Sequence, residues 1–281
     1  PDWFSYEFAE KCSHFSVVNY LARIYFLDYY DVISADKEVC ELVFELLELN
    51  EDDDCLSLFE RPKSVFSCML ENIKIRTSAF SVNEREKIDF LMMKDELRHE
   101  SRKYVCSSYR EMNRELEDSY SKIFAFLPFY QRVQSEEIKI SRFPKNSYRG
   151  EIDYTEANIN YITDCLKKNG RAVVIASNSF FTRNYEKFHV QLINQKYLTA
   201  VINLPIGSLR FRQLSTSLLV FDKKKTNEGI KFVDLRSFGV YERFGGLQKN
   251  PLGDTSKELF RNLLLNETPQ NLVNQYLVLE V

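Results

Sequence analysis

The chain has 281 residues, of which 44% are hydrophobic and 28% are charged, as is ordinary for a soluble globular protein. This length fits one large α/β domain with appendages better than two full domains. Only 8 glycines and 7 prolines occur, which argues against long low-complexity linkers. The formal net charge of −3 excludes a domain that binds nucleic acid through an overall positive charge, so a local patch or a partner would have to supply that charge.

The cysteines and the hydropathy pattern predict a cytoplasmic protein. The six cysteines are Cys12, Cys40, Cys55, Cys68, Cys106 and Cys165. They form no Cys-x-x-Cys pair, and several lie in apolar runs, as is typical of buried free thiols in a reducing compartment. Three scattered histidines, His14, His99 and His189, predict no zinc site. No apolar run approaches the ~20 residues that span a bilayer, and no signal-peptide pattern opens the chain, so no membrane partner is expected. Since the chain begins at Pro1 instead of Met, we also consider that it is a piece of a longer protein.

The first elements are predicted to be helical. An aromatic-rich stretch from Trp3 to Asp31 indicates one or two packed helices, and residues 1–33 form the predicted N-terminal helical segment. From Val39 to Leu47, apolar residues recur at i, i+3, i+4, i+7 and i+8, the spacing of an amphipathic helix. The acidic run that follows ends this helix.

Strands and helices alternate beyond that point. Strands are predicted at residues 55–59, 73–81, 104–109, 123–129, 171–177, 199–204, 217–221 and 231–235, and helices at residues 64–72, 84–99 and 184–194. Another helix begins at the capping pair Asp153 and Glu156 and is predicted to close at Gly170. The alternation predicts a mainly parallel sheet covered on both faces over residues 34–240, followed by a helical tail at 241–281.

The second half of the chain carries an ordered set of motifs. The segment from Gly170 onward resembles the modification (M) subunit of type I restriction systems, in the N-6 adenine DNA methylase family. That family shows a G-G-R-A-A-V-V-L-P strand, a strand ending in L-P, a T-x-I-L-V-L-x-K strand and an I-D-A strand. The same order occurs here at residues 170–175, 201–205, 217–223 and 232–234. The resemblance implies a class I S-adenosylmethionine-dependent methyltransferase-like (Rossmann-like) fold, with a mostly parallel twisted sheet between helices.

The resemblance also locates the methyl-donor site. In the family, V-L-D-P-A-C-G-S-G-G-F forms the donor-binding strand and loop, and residues 55–65 keep its hydrophobic frame. The aspartate position falls on Ser57, and the glycine positions fall on Arg61, Lys63 and Ser64. Those glycines let the backbone approach the methionine part of the donor, whereas Arg61 and Lys63 bring long side chains to that volume. A solvated loop is the more ordinary interpretation of these two residues.

Two further sites lose their defining residue. The acid that holds the ribose hydroxyls falls on Ser81, and nearby Glu84 is expected to begin the next helix instead. The catalytic tetrad N-P-P-F/Y, which orients the amino group of the target adenine and stacks on the flipped base, falls on the run Phe126, Leu127, Pro128 and Phe129. Phe126 has no acceptor to offer in place of the asparagine, and Phe129 is more ordinarily a core aromatic than a stacking residue.

These losses predict a catalytically inactive DNA adenine methyltransferase-like protein that acts as a binding or assembly component of a restriction–modification type system. No cofactor and no metal are expected. The resemblance implies a protein partner, which would be a methyltransferase, a specificity subunit or a second copy, and leaves open whether DNA is bound. The alternative is an active adenine-N6 methyltransferase with divergent motifs, which would bind S-adenosylmethionine.

Two other groups of charged residues are weighed. Arg210, Arg212 and the run from Lys223 to Lys225 are candidates for contacts with DNA phosphates, although a lysine run is more often a solvated turn. Asp36 and the run from Asp52 to Asp54 lack the spacing and the glycine of a calcium loop, so they are expected to form a solvated helix end.

Overall fold

The computed structural model describes about half of the chain. The described residues are 35, 37–58, 66, 69–70, 75, 77–82, 102–106, 119–127, 132–134, 151–181, 186–206, 208–209, 214–224, 229–236, 242–244, 247–249 and 279–280. The predicted N-terminal helical segment and the predicted helix at 84–99 lie outside them, as does most of the predicted helical tail.

The described part of the chain holds three α-helices, one 3₁₀ turn and thirteen strands. The helices are α1 (Lys37–Leu47), α2 (Tyr154–Cys165) and α3 (Glu186–Gln195), and the 3₁₀ turn is Asn178–Phe181. The strands are β1 (Asp54–Leu58), β2 (Thr77–Val82), β3 (Arg102–Cys106), β4 (Tyr120–Phe126), β5 (Arg132–Gln134), β6 (Glu151–Asp153), β7 (Leu166–Ser177), β8 (Leu198–Asn203), β9 (Thr216–Asp222), β10 (Lys231–Asp234), β11 (Glu242–Phe244), β12 (Leu247–Lys249) and β13 (Leu279–Glu280).

Nine strands form one mixed sheet in the order β13-β10-β8-β9-β7-β4-β1-β2-β3. Strands β1, β2, β3, β4 and β7 are parallel to one another, and β8 is parallel to β10. Strand β9 is inserted antiparallel between β7 and β8, and β13 closes the sheet antiparallel to β10. The predicted mostly parallel α/β sheet is therefore confirmed, with β9 and β13 as the reversed strands.

Each face of the sheet carries its own buried cluster. Alternate residues of the central strands point to opposite faces, so an apolar run such as residues 123–126 is buried on both sides. The first face packs against α1, whose buried residues are the five with the predicted helical spacing together with Cys40. The second face packs against α2 and α3. Phe124 faces α1 and contacts Phe66 with a ring-centroid distance of 4.1 Å. None of the described helices is long and apolar enough to cross a membrane.

The C-terminal end of α1 is held by two cations from the sheet. The helix ends at Leu47, and Glu48 adopts the left-handed conformation at φ 51°. Lys122 Nζ donates to the carbonyl oxygens of Leu47 at 2.5 Å and of Glu48 at 2.9 Å. Arg171 Nη1 donates to the carbonyl oxygen of Leu46 at 3.0 Å. Such donors satisfy the carbonyls that the last helical turn leaves unpaired.

The prediction that Gly170 closes a helix is wrong. Helix α2 ends at Cys165 and β7 begins at Leu166, so Gly170 lies within the strand. A Cβ at Gly170 would lie 2.7 Å from Leu166 Cδ1 and 2.9 Å from the carbonyl oxygen of Ser121. The register of β7 against β4 shifts at this point. Glycine is therefore required here by the close approach of the neighbouring strand, not by a helix cap.

Other differences concern short strands. Strand β4 extends from Tyr120 to Phe126, whereas the predicted strand extends over residues 123–129. The observed strand therefore begins and ends three residues earlier than predicted. Strands β5 and β6 pair antiparallel between β4 and α2, where no strand is predicted. In the predicted helical tail, β11 and β12 pair antiparallel, with the sequence Gly245-Gly246 between them. A Gly-Gly pair is a signal for a two-residue hairpin, which the helical interpretation overlooks.

Candidate functional site at the carboxyl edge of the sheet

The order of the strands reverses between β1 and β4. The chain continues from β1 to β2 and β3 on one side, and from β4 to β7 on the other. In open α/β sheets, ligands bind in the crevice outside the carboxyl ends of the strands at such a switch point. The carboxyl edge of β1 and β4 is therefore the candidate site.

The structure brings the predicted donor and tetrad positions to this edge. Ser57 lies one residue before the end of β1, and Ser81 lies one residue before the end of β2. Phe126 is the last residue of β4, and Leu127 follows it. Leu58 pairs with Ser81 on one side and with Ala125 on the other. The remaining predicted site residues, which are Arg61, Lys63, Ser64, Pro128 and Phe129, lie outside the described residues.

Ser57 is a polar residue in an apolar environment. Its side chain is 1% exposed and lies on the face of the sheet that packs against α1. Its hydroxyl has no hydrogen-bond partner among the described residues. The thiol of Cys55, two residues earlier on the same face, is also buried, and burial raises its pKa to about 12. Both groups are therefore enclosed by the core, and the Cys55 thiol stays protonated at neutral pH.

Phe126 occupies the first tetrad position as part of the core. Its side chain is 5% exposed and belongs to the same buried cluster as Phe124 and Ile175. The backbone N–H of Leu127 donates to the carbonyl oxygen of Ile175 at 3.0 Å, which extends the pairing with β7 beyond the strand. A phenyl ring held in this way presents no hydrogen-bond acceptor at the end of β4.

A second polar group lies at the same edge, on the strands β7, β8 and β9. The hydroxyl Oγ of Ser217 lies 2.6 Å from Oδ1 of Asn178 and 2.6 Å from Oδ1 of Asn203. Asn178 directly follows β7, and its N–H donates to the carbonyl oxygen of Ser215 at 3.0 Å. Asn203 ends β8, and both asparagines are half-buried. Neither asparagine is predicted from the sequence to be functional, because strand-end asparagines without a motif give no functional signal.

An exposed aromatic ring lies next to this polar group. Phe181 ends the 3₁₀ turn that Asn178 begins, and 38% of its surface is exposed. The ring of His189, on α3, stacks on Phe181 at a centroid distance of 6.1 Å and an interplanar angle of 29°. Nε2 of His189 lies 2.8 Å from the carbonyl oxygen of Phe180, which ties the turn to the helix.

Three of the charged candidates, Lys223, Asp53 and Asp54, lie at the opposite edge of the sheet. The end of β9 places Lys223 at the amino edge, opposite the candidate site, and its Nζ donates to the carbonyl oxygen of Leu166 at 2.5 Å. Asp53 and Asp54, at the start of β1, pair with Lys122 and Lys167 at that same edge. Within the described residues, no group of His, Cys, Asp and Glu is arranged to hold a metal ion.

Asp234 carries the clearest charged interaction at the carboxyl edge. It ends β10, and Arg236 donates to both of its carboxylate oxygens at 2.5–3.0 Å. These hydrogen bonds hold the pKa of Asp234 below its ordinary value. The two DNA-contact candidates in the connection between β8 and β9, Arg210 and Arg212, lie outside the described residues. Among described residues, the edge thus offers carboxamides, hydroxyls and one carboxylate–guanidinium pair, all of which can form hydrogen bonds.

Comparisons with known proteins agree on one family. The sequence model of the N-6 DNA methylase family matches residues 88–262. That range includes the tetrad positions and begins after the donor-site positions Ser57 to Ser81. No curated protein sequence matches the chain.

Solved structures share the fold. The methyltransferase subunit of a type I restriction–modification system from Streptococcus thermophilus has a TM-score of 0.66 and 12% identity, and the alignment covers 87% of this chain and 55% of that one. A modification subunit of a putative type I restriction enzyme from Vibrio vulnificus has a TM-score of 0.63 and 14% identity, with coverage of 91% and 58%. A putative class I S-adenosylmethionine-dependent methyltransferase from Listeria monocytogenes has a TM-score of 0.59 and 14% identity, with coverage of 81% and 75%. The chain therefore spans a little over half the length of the modification subunits that it resembles.

Proposed function

Because the chain belongs to the N-6 DNA methylase family, we propose that it is a catalytically inactive DNA adenine methyltransferase-like protein, a binding or assembly component of a restriction–modification type system. The observation that carries this proposal is the burial of Phe126. An adenine methyltransferase of this family needs an acceptor at that position to orient the amino group of the target base. The side chain of Phe126 is 5% exposed and cannot accept a hydrogen bond. Its ring also fills the space that a hydrogen-bonding side chain would need.

The donor side supports the same proposal. Ser57 replaces a carboxylate with a hydroxyl that the core encloses, and Ser81 replaces the acid that would bind the ribose. The residues present therefore do not fit S-adenosylmethionine. Arg61 and Lys63 add two long cationic side chains to the loop sequence in place of glycine.

The retained fold supports a proposed role in assembly with another protein. The sheet and both of its packed faces are retained, so the chain keeps the shape of a methyltransferase domain without its chemistry. The similar structures include subunits of type I restriction–modification systems, one of them from a study of complex assembly. We propose that the partner is a methyltransferase subunit, a specificity subunit or a second copy, in the cytoplasm.

Calorimetric titration of the protein with S-adenosylmethionine tests the proposed inactivity. We expect no heat of binding at concentrations that saturate a micromolar site, and no transfer of labelled methyl groups to DNA. An active type I modification subunit, titrated in the same buffer, serves as the positive control. A micromolar dissociation constant together with methyl transfer would instead identify an active adenine methyltransferase with divergent motifs.

Mass measurement during size-exclusion chromatography tests the proposed assembly. The protein is run alone and after co-expression with the modification and specificity subunits of its own organism. A stoichiometric complex, either with one of these subunits or with a second copy, is the expected result. A monomer under both conditions would contradict an assembly role.

A further inference from the structure

We propose that the outward side of α3 binds the same helix of a second copy, in an antiparallel pair related by twofold symmetry. This side carries the exposed side chains of Val190 and Ile193, beside the exposed ring of Phe181, and these three residues are called the α3 face. The inference deepens the proposed assembly role, on which it rests, because it names a surface and chooses one partner. The α3 face contains none of the donor and tetrad positions, which belong to β1, β2, β4 and the residues after them.

The apolar side chains of the α3 face are clustered. Within the described residues, four large apolar side chains are at least 38% exposed: Phe181, Val190, Ile193 and Ile206. Val190 and Ile193 are three residues apart on α3 and are therefore neighbours on its surface. The Phe181 ring stacks on His189, which lies on the same helix four residues before Ile193. The opposite side of α3 packs on the sheet, so a contiguous apolar area faces outward, as is typical of a protein contact surface.

The two ends of α3 carry opposite charges. Glu186 begins the helix, and Lys196 follows its last residue in the left-handed conformation at φ 58°. Both are exposed, and within the described part of the chain neither forms an ion pair. Lys187 is exposed as well, but it lies about 100° around the helix from Glu186, to the side of the α3 face. Each copy therefore offers an anion at one end of the apolar pair and a cation at the other.

Antiparallel pairing makes the α3 face complementary to itself. Val190 and Ile193 lie on either side of the middle of the helix, so Val190 of one copy meets Ile193 of the other, and symmetry repeats the contact. Glu186 of each copy then lies at the end of α3 where the other copy carries Lys196. The antiparallel orientation also places the partial positive end of each helix beside the partial negative end of the other. A parallel pair would bring like charges together, so the α3 face fits a second copy in one orientation.

Sedimentation velocity across a range of protein concentrations tests the pairing. Because the α3 face is small, we expect a monomer–dimer equilibrium with a dissociation constant that is roughly micromolar or weaker. Ile193→Glu puts a charge in the apolar centre and should raise this constant at least about tenfold. The matched control is Ile206→Glu, at an apolar side chain that is 48% exposed and follows β8, outside the α3 face. We expect the control to leave the constant unchanged.

Reversal of the end charges tests the orientation. Glu186→Lys alone and Lys196→Glu alone each bring like charges together at both ends of the pair, and each should raise the dissociation constant roughly 2- to 10-fold. An equal mixture of the two variants should associate as tightly as the parent chain, because each end then joins a cation to an anion. A folding defect would not be corrected by mixing, and thermal melts establish that each variant folds.

Three results would overturn the inference. They are a parent chain that stays monomeric at every concentration, equal effects of Ile193→Glu and Ile206→Glu, and no recovery in the mixture of charge variants. In each case a stoichiometric complex with a modification or specificity subunit would leave the proposed assembly role in place. Donor binding in the calorimeter would overturn only the proposed inactivity, so the failures are distinguishable.

Discussion

Ser57 and Phe126 lie on neighbouring strands and face the same side of the sheet, toward α1. In an active enzyme of this family both positions are polar and face ligands. Here one side chain is a small hydroxyl and the other a phenyl ring, and both are enclosed. Burial of a charged or unpartnered polar group is costly, so a serine and a phenylalanine suit these enclosed positions better than a carboxylate does.

Replacement of Ser57 by alanine tests this explanation. The hydroxyl has no hydrogen-bond partner among the described residues, so its removal should leave the free energy of unfolding unchanged or raise it by up to about 1 kcal/mol. Ser57→Asp, which restores the acid of the family, should lower it by several kcal/mol by placing a charge in the core. Chemical denaturation measures both values. A large loss of stability in Ser57→Ala would indicate that the hydroxyl has an essential partner.

Gly170 offers a second test at the scale of one residue. A Cβ there would lie 2.9 Å from the backbone oxygen of Ser121, which cannot move without shifting β4. We expect Gly170→Ala to lower the free energy of unfolding by about 1–3 kcal/mol, the usual cost of overpacking. Asn169→Ala, one residue earlier and exposed, should change it by less than about 0.5 kcal/mol. Equal effects of the two substitutions in denaturant titrations would show that the close approach is not limiting.

At the scale of elements, the charged residues of the amino edge stabilise the packing of α1 on the sheet. Arg171 joins the end of α1 to β9, because it bonds to the carbonyl oxygen of Leu46 and, at 2.8 Å, to the carboxylate of Asp222. Lys122, on β4, also bonds to the end of α1, because its Nζ donates to the carbonyl oxygen of Leu47. Burial lowers the pKa of Lys122. These residues lie opposite the candidate site, so their role is structural.

Lys122→Met tests that role. The methionine keeps the apolar stem of the lysine but leaves the carbonyl oxygens of Leu47 and Glu48 without their donor. We expect the free energy of unfolding to fall by about 1–3 kcal/mol, as for the loss of hydrogen bonds to a charged group. Lys168→Met, an exposed position on β7, is the matched control and should have little effect. Hydrogen exchange localised to α1 distinguishes fraying of this helix from global destabilisation.

At the scale of the whole molecule, the fold is that of a class I methyltransferase, and the family is shown by the match over residues 88–262. The chain covers 55–58% of the length of the modification subunits. The fold is therefore shared with those larger proteins, whereas their activity is a separate question for this chain. Fold and site have separate requirements: apolar strands of the correct spacing maintain the sheet, whereas chemistry needs particular polar atoms at the strand ends.

Local sequence patterns are sufficient to predict the parallel core of the sheet and the helix α1. Apolar runs such as residues 171–177, and the helical spacing from Val39 to Leu47, are local patterns that burial alone requires. The positions of Ser57, Ser81 and Phe126 at strand ends also follow from the family frame. Their identity as a lost site remains a prediction that the proposed titration tests.

The remaining features depend on contacts between strands that are distant in the sequence. Gly170 is read as a helix cap from its neighbours in the chain, but the carbonyl oxygen of Ser121, on another strand, is what excludes a side chain there. Asn178 and Asn203 are 25 residues apart in the sequence, and they meet at Ser217 because β9 is inserted between β7 and β8. Contacts of this kind depend on strand order, and local pattern carries no information about strand order because each strand pairs with residues far away in the chain.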